Sequence, residues 1–425
     1  MQIYVVQQGD TIDLIANKFG MSIERLIIDN GIKEPSSLVV GQSLVIAFPE
    51  IIYTVREGDT LAGIASQFNI TVMQLLRYNP YLANRKYIYP GETLVISYDN
   101  RHGSLLSVGY TYSFINDGVL RMTLPNLTQL LILNYRIADH GEFVGNDEDI
   151  SAIRLAKSFG TEAILIATGH SASGEINVEM VYEMLLSPQV QDKLIENLLN
   201  ILKTKGYNGV DMTFQLINTA NQKLYLNFLT RISNRLHPEG YSVFLTVNPG
   251  LSFNGNEVTF EKINYSSFSE VSDGILFLAY DWGSIRKPPA QFSIFTTPSL
   301  LDYITAQVPL NKIRIAIPTL GYDWPLPYVD GKSRASVLNF DSVLSLARQM
   351  NAVIHFDEAS LSAYFEYTDF GDVKHIVWFK DARSIDSSLK ILKKYGITGI
   401  GVWNIMYYFN QMWLVINSQY QIEKV

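Results

Sequence analysis

From residue 104 onward, short apolar runs alternate with helical patterns, and this alternation restricts the fold more than any other property of the chain. The runs fall at 105–110, 129–135, 163–168, 208–214, 243–248, 275–280, 312–318 and 398–403, with helical stretches such as 190–203 and 224–235 between most of them. A strand that is apolar on both faces belongs to a parallel sheet covered by helices. Eight such strands predict an α/β fold, a (β/α)8 barrel spanning 104–425. A strand-rich stretch at roughly 322–380, with turn signals at Asp330-Gly331 and Phe370-Gly371, predicts a small α+β insertion between strands seven and eight. Hydrophobic residues make up 47% of the chain, enough to fill so large a core.

The first hundred residues repeat themselves with a period of about 50. Tyr4-Val5-Val6-Gln7-Gln8-Gly9-Asp10-Thr11-Ile12 returns as Tyr53-Thr54-Val55-Arg56-Glu57-Gly58-Asp59-Thr60-Leu61. Two short amphipathic helices follow in each copy; Asn30 and Asn79 close the second of them. Each copy ends on a strand after a turn glycine, Gly41 to Ile46 and Gly91 to Ile96. Asp10 with Thr11, and Asp59 with Thr60, stand where side chains cap the first helix. These βααβ units, 1–48 and 51–98, resemble LysM, a peptidoglycan- and chitin-binding module. The resemblance implies a sugar site between two loops. In the first copy these are Gly9, Asp10, Thr11 and Ile12 with Asn30 and Gly31; in the second they are Gly58, Asp59, Thr60 and Leu61 with Asn79 and Pro80.

Residues 206–215, Gly-Tyr-Asn-Gly-Val-Asp-Met-Thr-Phe-Gln, carry the chemistry of the fourth strand. Asp211, Thr213 and Gln215 are spaced by two and so share one face of a strand. The stretch resembles the signature of glycoside hydrolase family 18, the chitinase-like barrels, which reads Asp-x-x-Asp-x-Asp-x-Glu. The four positions here are Asn208, Asp211, Thr213 and Gln215, so one acid of the four is kept. Family members cleave by a substrate-assisted route, outside the usual two-carboxylate scheme. The last acid protonates the leaving oxygen, and the acid two residues earlier steers the substrate's acetamide. An amide has no titratable proton, so Gln215 cannot serve as general acid, and Thr213 brings no charge to a developing oxazolinium. Gln215 retains the shape and hydrogen bonding of Glu, which suits sugar binding.

The same resemblance assigns Tyr280 and Asp281 at the end of strand six to the acetamide pocket, and Trp403 at the end of strand eight to the floor of the sugar subsite. Barrel sites are built at such strand ends. Gly321 to Tyr328 and His375 to Ser384 resemble one subgroup, the cortex-lytic spore enzymes with two LysM modules ahead of the barrel. Two Glu of the subgroup pattern are replaced, by Ile376 and Lys380, while Trp324, Trp378 and Arg383 persist. Of the remaining acids, Asp211, Asp273, Asp281 and Asp323 are the ones that could replace the lost proton donor.

Composition excludes several classes. There is no cysteine, hence no disulfide or thiolate metal site. The six histidines lack metal-ligand spacing, so neither metal nor cofactor is expected. A net charge of -8 without a basic patch argues against nucleic acid. No apolar stretch reaches the roughly 20 residues of a membrane span. The N-terminus, Met1-Gln2-Ile3-Tyr4-Val5-Val6, has no signal-peptide pattern. The subgroup resemblance implies synthesis in a mother-cell cytoplasm and delivery to the spore envelope, at the coat–cortex boundary or the exosporium. Three functions follow. The first is a non-catalytic binder of N-acetylglucosamine-containing peptidoglycan. The second is a weakly active N-acetylglucosaminidase. The third is an assembly protein that contacts coat or exosporium proteins or itself.

Overall fold

The eight apolar runs form eight parallel strands in a computed structural model that describes residues 1–99, 102–169, 177–214, 216–254, 257–278, 294–329 and 332–424. The strands are Ser104–Tyr112, Gln129–Ile137, Glu162–Thr168, Gly209–Phe214, Ser242–Val247, Gly274–Phe277, Ile313–Pro318 and Gly399–Trp403. Each pairs with the next, and the eighth pairs with the first (Gly401 opposite Val108), which closes the barrel. Helices such as Asp149–Ser158, Pro188–Lys205, Gln222–Leu236 and Ala382–Tyr395 cover the outside. Their apolar stripes, for example Leu194, Leu198 and Leu202, meet the outward residues of the strands in one large core.

The barrel interior is a second, smaller core of Val108, Tyr110, Leu131, Ile164, Ile166, Phe244, Leu276, Ala316 and Trp403. Arg314 also points inward, its guanidinium 4.9 Å from the Phe244 ring centre. It fits because Gly274 has no side chain; a Cβ there would lie 1.5 Å from Arg314 Nη1. Burial pushes the guanidinium down to about 10, against the opposing pull of Asp211.

The insertion is a five-stranded antiparallel sheet, Ser336–Leu338, Gly321–Leu326, Lys374–Phe379, Ser362–Thr368 and His355–Asp357 in spatial order, with the helix Phe340–Gln349 on one face. The repeats form as expected. Gln2–Val5 pairs with Ser43–Ile46, and Ile51–Thr54 pairs with Thr93–Ser97, with two helices inside each unit.

One expectation about the repeats is corrected. The caps of the first helices are Thr11 and Thr60, whose Oγ1 atoms accept from Leu14 N and Gly63 N. Asp10 and Asp59 are not caps. Asp10 accepts from Gln7 N (2.8 Å) and from the Tyr4 hydroxyl (2.7 Å), and Asp59 does the same with Arg56 N (2.7 Å) and the Tyr53 hydroxyl (2.8 Å). The carboxylates close the turn before the helix and tie it to the first strand. That donation from Arg56 N, then the one from Tyr53, holds the Asp59 carboxyl below the usual range.

Both repeats are docked on the barrel. The strand Ser43–Ile46 is buried along its whole length, and Gln411 Nε2 donates to Ser43 O at 2.7 Å. Val39 enters the core of the insertion, and Ile354 N donates to Val40 O. In the second repeat the buried Arg77 donates through Nε to Pro125 O (3.1 Å), and Asn84 Nδ2 donates to Gly118 O (3.0 Å).

Candidate functional site

The fourth strand places Asp211 and Thr213 on one face, as the spacing predicted, and that face is the barrel interior; Gln215 lies outside the described residues. Asp211 is 1% exposed. Its Oδ1 accepts from Thr213 Oγ1 at 3.1 Å and its Oδ2 from Thr246 Oγ1 at 2.9 Å. The Thr246 hydroxyl is 2.6 Å from the Tyr110 hydroxyl. Since Thr246 gives its proton to Asp211, Tyr110 is the donor in that second contact. Burial pushes the Asp211 carboxyl up to about 6, and the two hydroxyl donors and Arg314 hold it from going further. Thr213 therefore does not offer its proton to the mouth; it points back at Asp211.

That carboxyl gives stability a pH dependence. A group whose pKa is raised on folding holds its proton more tightly in the native state. Stability is then fullest below the unfolded value near pH 4 and falls as pH rises to about 6. Holding the proton that much more tightly in the folded state corresponds to roughly 3 kcal/mol. Asp211→Asn should flatten this part of the profile, measured as denaturant midpoints between pH 4 and pH 7.

Asn208 is not part of the mouth. It precedes the strand, and its Oδ1 accepts from Ala163 N at 3.0 Å while its own N–H donates to Ala163 O. Its amide joins strand three to strand four at their N-terminal ends, some five residues and roughly 16 Å from Thr213. Two of the rescue acids are also engaged elsewhere. Asp273 Oδ2 accepts from Val243 N (2.7 Å), before the start of strand six. Asp323 is held in the insertion by the Tyr367 hydroxyl (2.7 Å) and by His375 Nδ1 (2.9 Å). Asp281 and Tyr280 lie outside the described residues.

Trp403 sits at the end of strand eight, 8% exposed, with its ring 5.2 Å from Tyr110 and 6.5 Å from Tyr112. Thr319 fixes its backbone, donating through N and Oγ1 to Trp403 O. Tyr112 in turn stacks on Phe114 (5.4 Å, 21°), and Phe114 is 67% exposed. An aromatic track thus leads outward from Trp403. Sequence reasoning missed it, although Tyr110 and Tyr112 show the period of two that puts residues on one strand face, with Phe114 in the turn that follows.

One of the two replaced subgroup positions, Lys380, has a structural explanation. Lys380 Nζ donates to Ser360 O, Leu361 O and Ser362 Oγ, and burial pushes the amine down to about 8. Arg383, which persists, pairs with Asp381 at 2.6 Å and donates to Gly41 O, so it joins the barrel helix Ala382–Tyr395 to the first repeat.

In the repeats, Gly9, Thr11, Gly58 and Thr60 are exposed, Leu61 and Pro80 are half-buried, and Ile12 is buried. Asn30 and Asn79, expected in the sugar site, direct their amides inward. Asn30 Nδ2 donates to Leu26 O and Val45 O, and its Oδ1 accepts from Val45 N. Asn79 repeats the pattern with Leu75 O, Val95 O and Val95 N. Each amide ties the second helix to the closing strand, which leaves no side-chain N–H for a ligand. Gly31 faces the barrel; a Cβ there would meet Asn410 Oδ1 at 2.5 Å.

No group of three or more His, Cys, Asp or Glu among the described residues is arranged to hold a metal ion, and no helix among them is long and apolar enough to cross a membrane.

Comparison with known proteins agrees with this architecture. The model of glycosyl hydrolases family 18 matches residues 107–407, and that of the LysM domain matches 4–47 and 53–97. The chain is 30% identical to the cortical fragment-lytic enzyme of Bacillus anthracis, over 100% of this chain and 99% of the relative. It superposes on the spore cortex-lytic enzyme SleL of Bacillus cereus with a TM-score of 0.79 and 28% identity, covering 100% and 99% of the two chains. The SleL structure of Bacillus megaterium QM B1551 gives a TM-score of 0.80 at 25% identity, with the same coverage. With a closed eightfold barrel, an insertion after strand seven and two leading repeats, the chain belongs to glycosyl hydrolase family 18 and carries two LysM domains.

Proposed function

We propose that the chain binds N-acetylglucosamine-containing peptidoglycan of the bacterial spore envelope without cleaving it. One observation carries the reading. Where the family signature places the acetamide-steering acid and the proton donor, this chain has Thr213 and Gln215, and the Thr213 hydroxyl is already given to Asp211. Neither side chain can release a proton near neutral pH. The binding half rests on the track of Trp403, Tyr112 and Phe114, whose rings offer apolar faces with polar edges nearby. The named relatives are cortex-lytic enzymes of spore-forming bacilli, which supports a spore glycan as the ligand. On this reading the exposed loops Gly9 to Thr11 and Gly58 to Thr60 make further contacts through backbone groups, and Tyr280, Asp281 and Gln215 complete the barrel subsite.

Incubation with purified cortex fragments tests both halves. The expected result is retention of the fragments with no new reducing ends. Trp403→Ala should weaken retention about tenfold or more, while Trp403→Phe keeps most of it. Cleavage by the unaltered chain would defeat the non-catalytic reading.

A second reading, a weak N-acetylglucosaminidase, has one observation in its favour. Asp211, raised to about 6, is a carboxylic acid poised near the operating range of a general acid. Its two oxygens are occupied by Thr213 and Thr246 at the bottom of the site, so it would have to act through a relay. Residual cleavage abolished by Asp211→Asn would favour it.

A further inference from the structure

Beside the rim of strand eight lies a cleft open to solvent, lined by Thr319, Asn339, Asp341, Tyr407 and Phe409 among others. No family signature residue contributes to it. Tyr407 is 58% exposed, and Phe340 stacks on Phe409 at 4.4 Å to make a rigid apolar base. Asn339 caps the insertion helix, its Oδ1 accepting from Ser342 N at 2.9 Å; none of the described hydrogen bonds uses its Nδ2. The Asp341 carboxyl lines the same cleft, and burial there raises it above the usual carboxylate range while Lys33 of the first repeat pulls it down.

Two contacts decide what such a cleft is for. On one side Thr319 holds the Trp403 carbonyl with both its N–H and its hydroxyl, so the cleft is one residue removed from the proposed sugar floor. On the other side the same loop runs on to Asn410, whose Nδ2 donates to Ile28 O and whose Oδ1 meets Gly31 of the first repeat. The cleft therefore bridges the barrel mouth and the loop of the first LysM domain. An exposed flat ring beside a carboxylate and a side-chain amide is the chemistry that recognises a pyranose bearing hydroxyl and acetamide groups.

We propose that this cleft is an additional subsite for one amino-sugar unit, so that the barrel and the first repeat hold a single glycan strand. The proposal rests on the glycan-binding reading above. Asp341 accepts from a sugar hydroxyl or amide N–H, Asn339 donates to a sugar oxygen, and the ring of Tyr407 covers one sugar face. A longer oligosaccharide then binds more tightly than one that fills only the barrel.

Calorimetric titration of the full chain with N-acetylglucosamine oligomers of increasing length is the test. The expected result is a gain of roughly tenfold in affinity when the oligomer becomes long enough to leave the barrel. Tyr407→Ala and Asp341→Asn should each remove that gain and leave the affinity for the shortest binding oligomer unchanged, while Tyr407→Phe retains it. Length-dependent affinity that survives both Tyr407→Ala and Asp341→Asn overturns the subsite alone, and so does an affinity that never depends on length. If no oligomer of any length binds the unaltered chain, the glycan-binding reading falls and takes the subsite with it.

Discussion

Cleavage of N-acetylglucosamine-containing cortex fragments emerges when Thr213→Asp and Gln215→Glu are made together, and the unaltered chain shows none. The reason lies in the interior of strand four. Thr213 Oγ1 is 3.1 Å from Asp211 Oδ1, so a carboxylate at 213 would stand against the one at 211. Two carboxylates at that distance cannot both be charged, and they titrate as a pair. Asp211, already raised to about 6 by burial, is the member that keeps the proton and donates it to the new Asp. That leaves a charged oxygen facing the mouth, where an acetamide needs one. Glu at 215 restores the proton donor, an effect worth about 100- to 10,000-fold. Each single change should recover far less, because the two groups act on one transition state. The measurement is the rate of reducing-end release, with binding followed in parallel. An unaltered chain as fast as the double variant would refute the assignment of both positions.

Gly41→Ala should release the first repeat from the insertion, at a cost of about 4 to 5 kcal/mol. Gly41 has φ +85°, a conformation that disfavours a Cβ by about 1 to 2 kcal/mol. A Cβ at this position would also lie 1.8 Å from the backbone oxygen of Ile354, which no rotamer change can move aside. The separation needed to relieve that contact breaks three hydrogen bonds across the junction. They run from Ile354 N to Val40 O, from Arg383 Nη2 to Gly41 O and from Arg348 Nε to Ser37 O. Each is worth about 1 kcal/mol. Val39 leaves the apolar core of the insertion at the same time. The expected record is an early, separate transition in denaturant and new protease cuts between residues 34 and 50. A single cooperative transition at the original midpoint would show that the junction contributes nothing.

Most of the architecture was legible in the sequence. The strand positions of the barrel agree with the apolar runs to within about two residues at most ends, because a strand buried on both faces must be apolar throughout. The insertion announced itself by the turn at Phe370-Gly371 (Asp330-Gly331 lies outside the described residues), and the repeats by their self-similarity. At the site, the alternation correctly put Asp211 and Thr213 on one face. Errors arose where one residue type serves two roles. Asp before Thr reads as a cap, yet Asp10 and Asp59 bind the turn and a tyrosine, since the hydroxyl of the next residue reaches the helix N–H groups first. Asn30 and Asn79 entered the sugar site only through the LysM resemblance, and nothing in the sequence signalled that their amides hold a helix to a strand that lies 15 and 16 residues away.

What the amino-acid order determined alone was local: the period of each element, the doubling of the N-terminal unit, and the chemical fact that positions 213 and 215 carry no acid. Tertiary structure decided which groups those side chains meet. The relay from Tyr110 through Thr246 to Asp211 joins residues 136 and 35 positions apart, and the docking of the first repeat joins residues more than 300 apart. Periodicity reports only what a residue's own backbone does with it. Hydrogen-bond partners at such separations are set by strand register and by the closure of the barrel, and both exist only once the whole chain has packed.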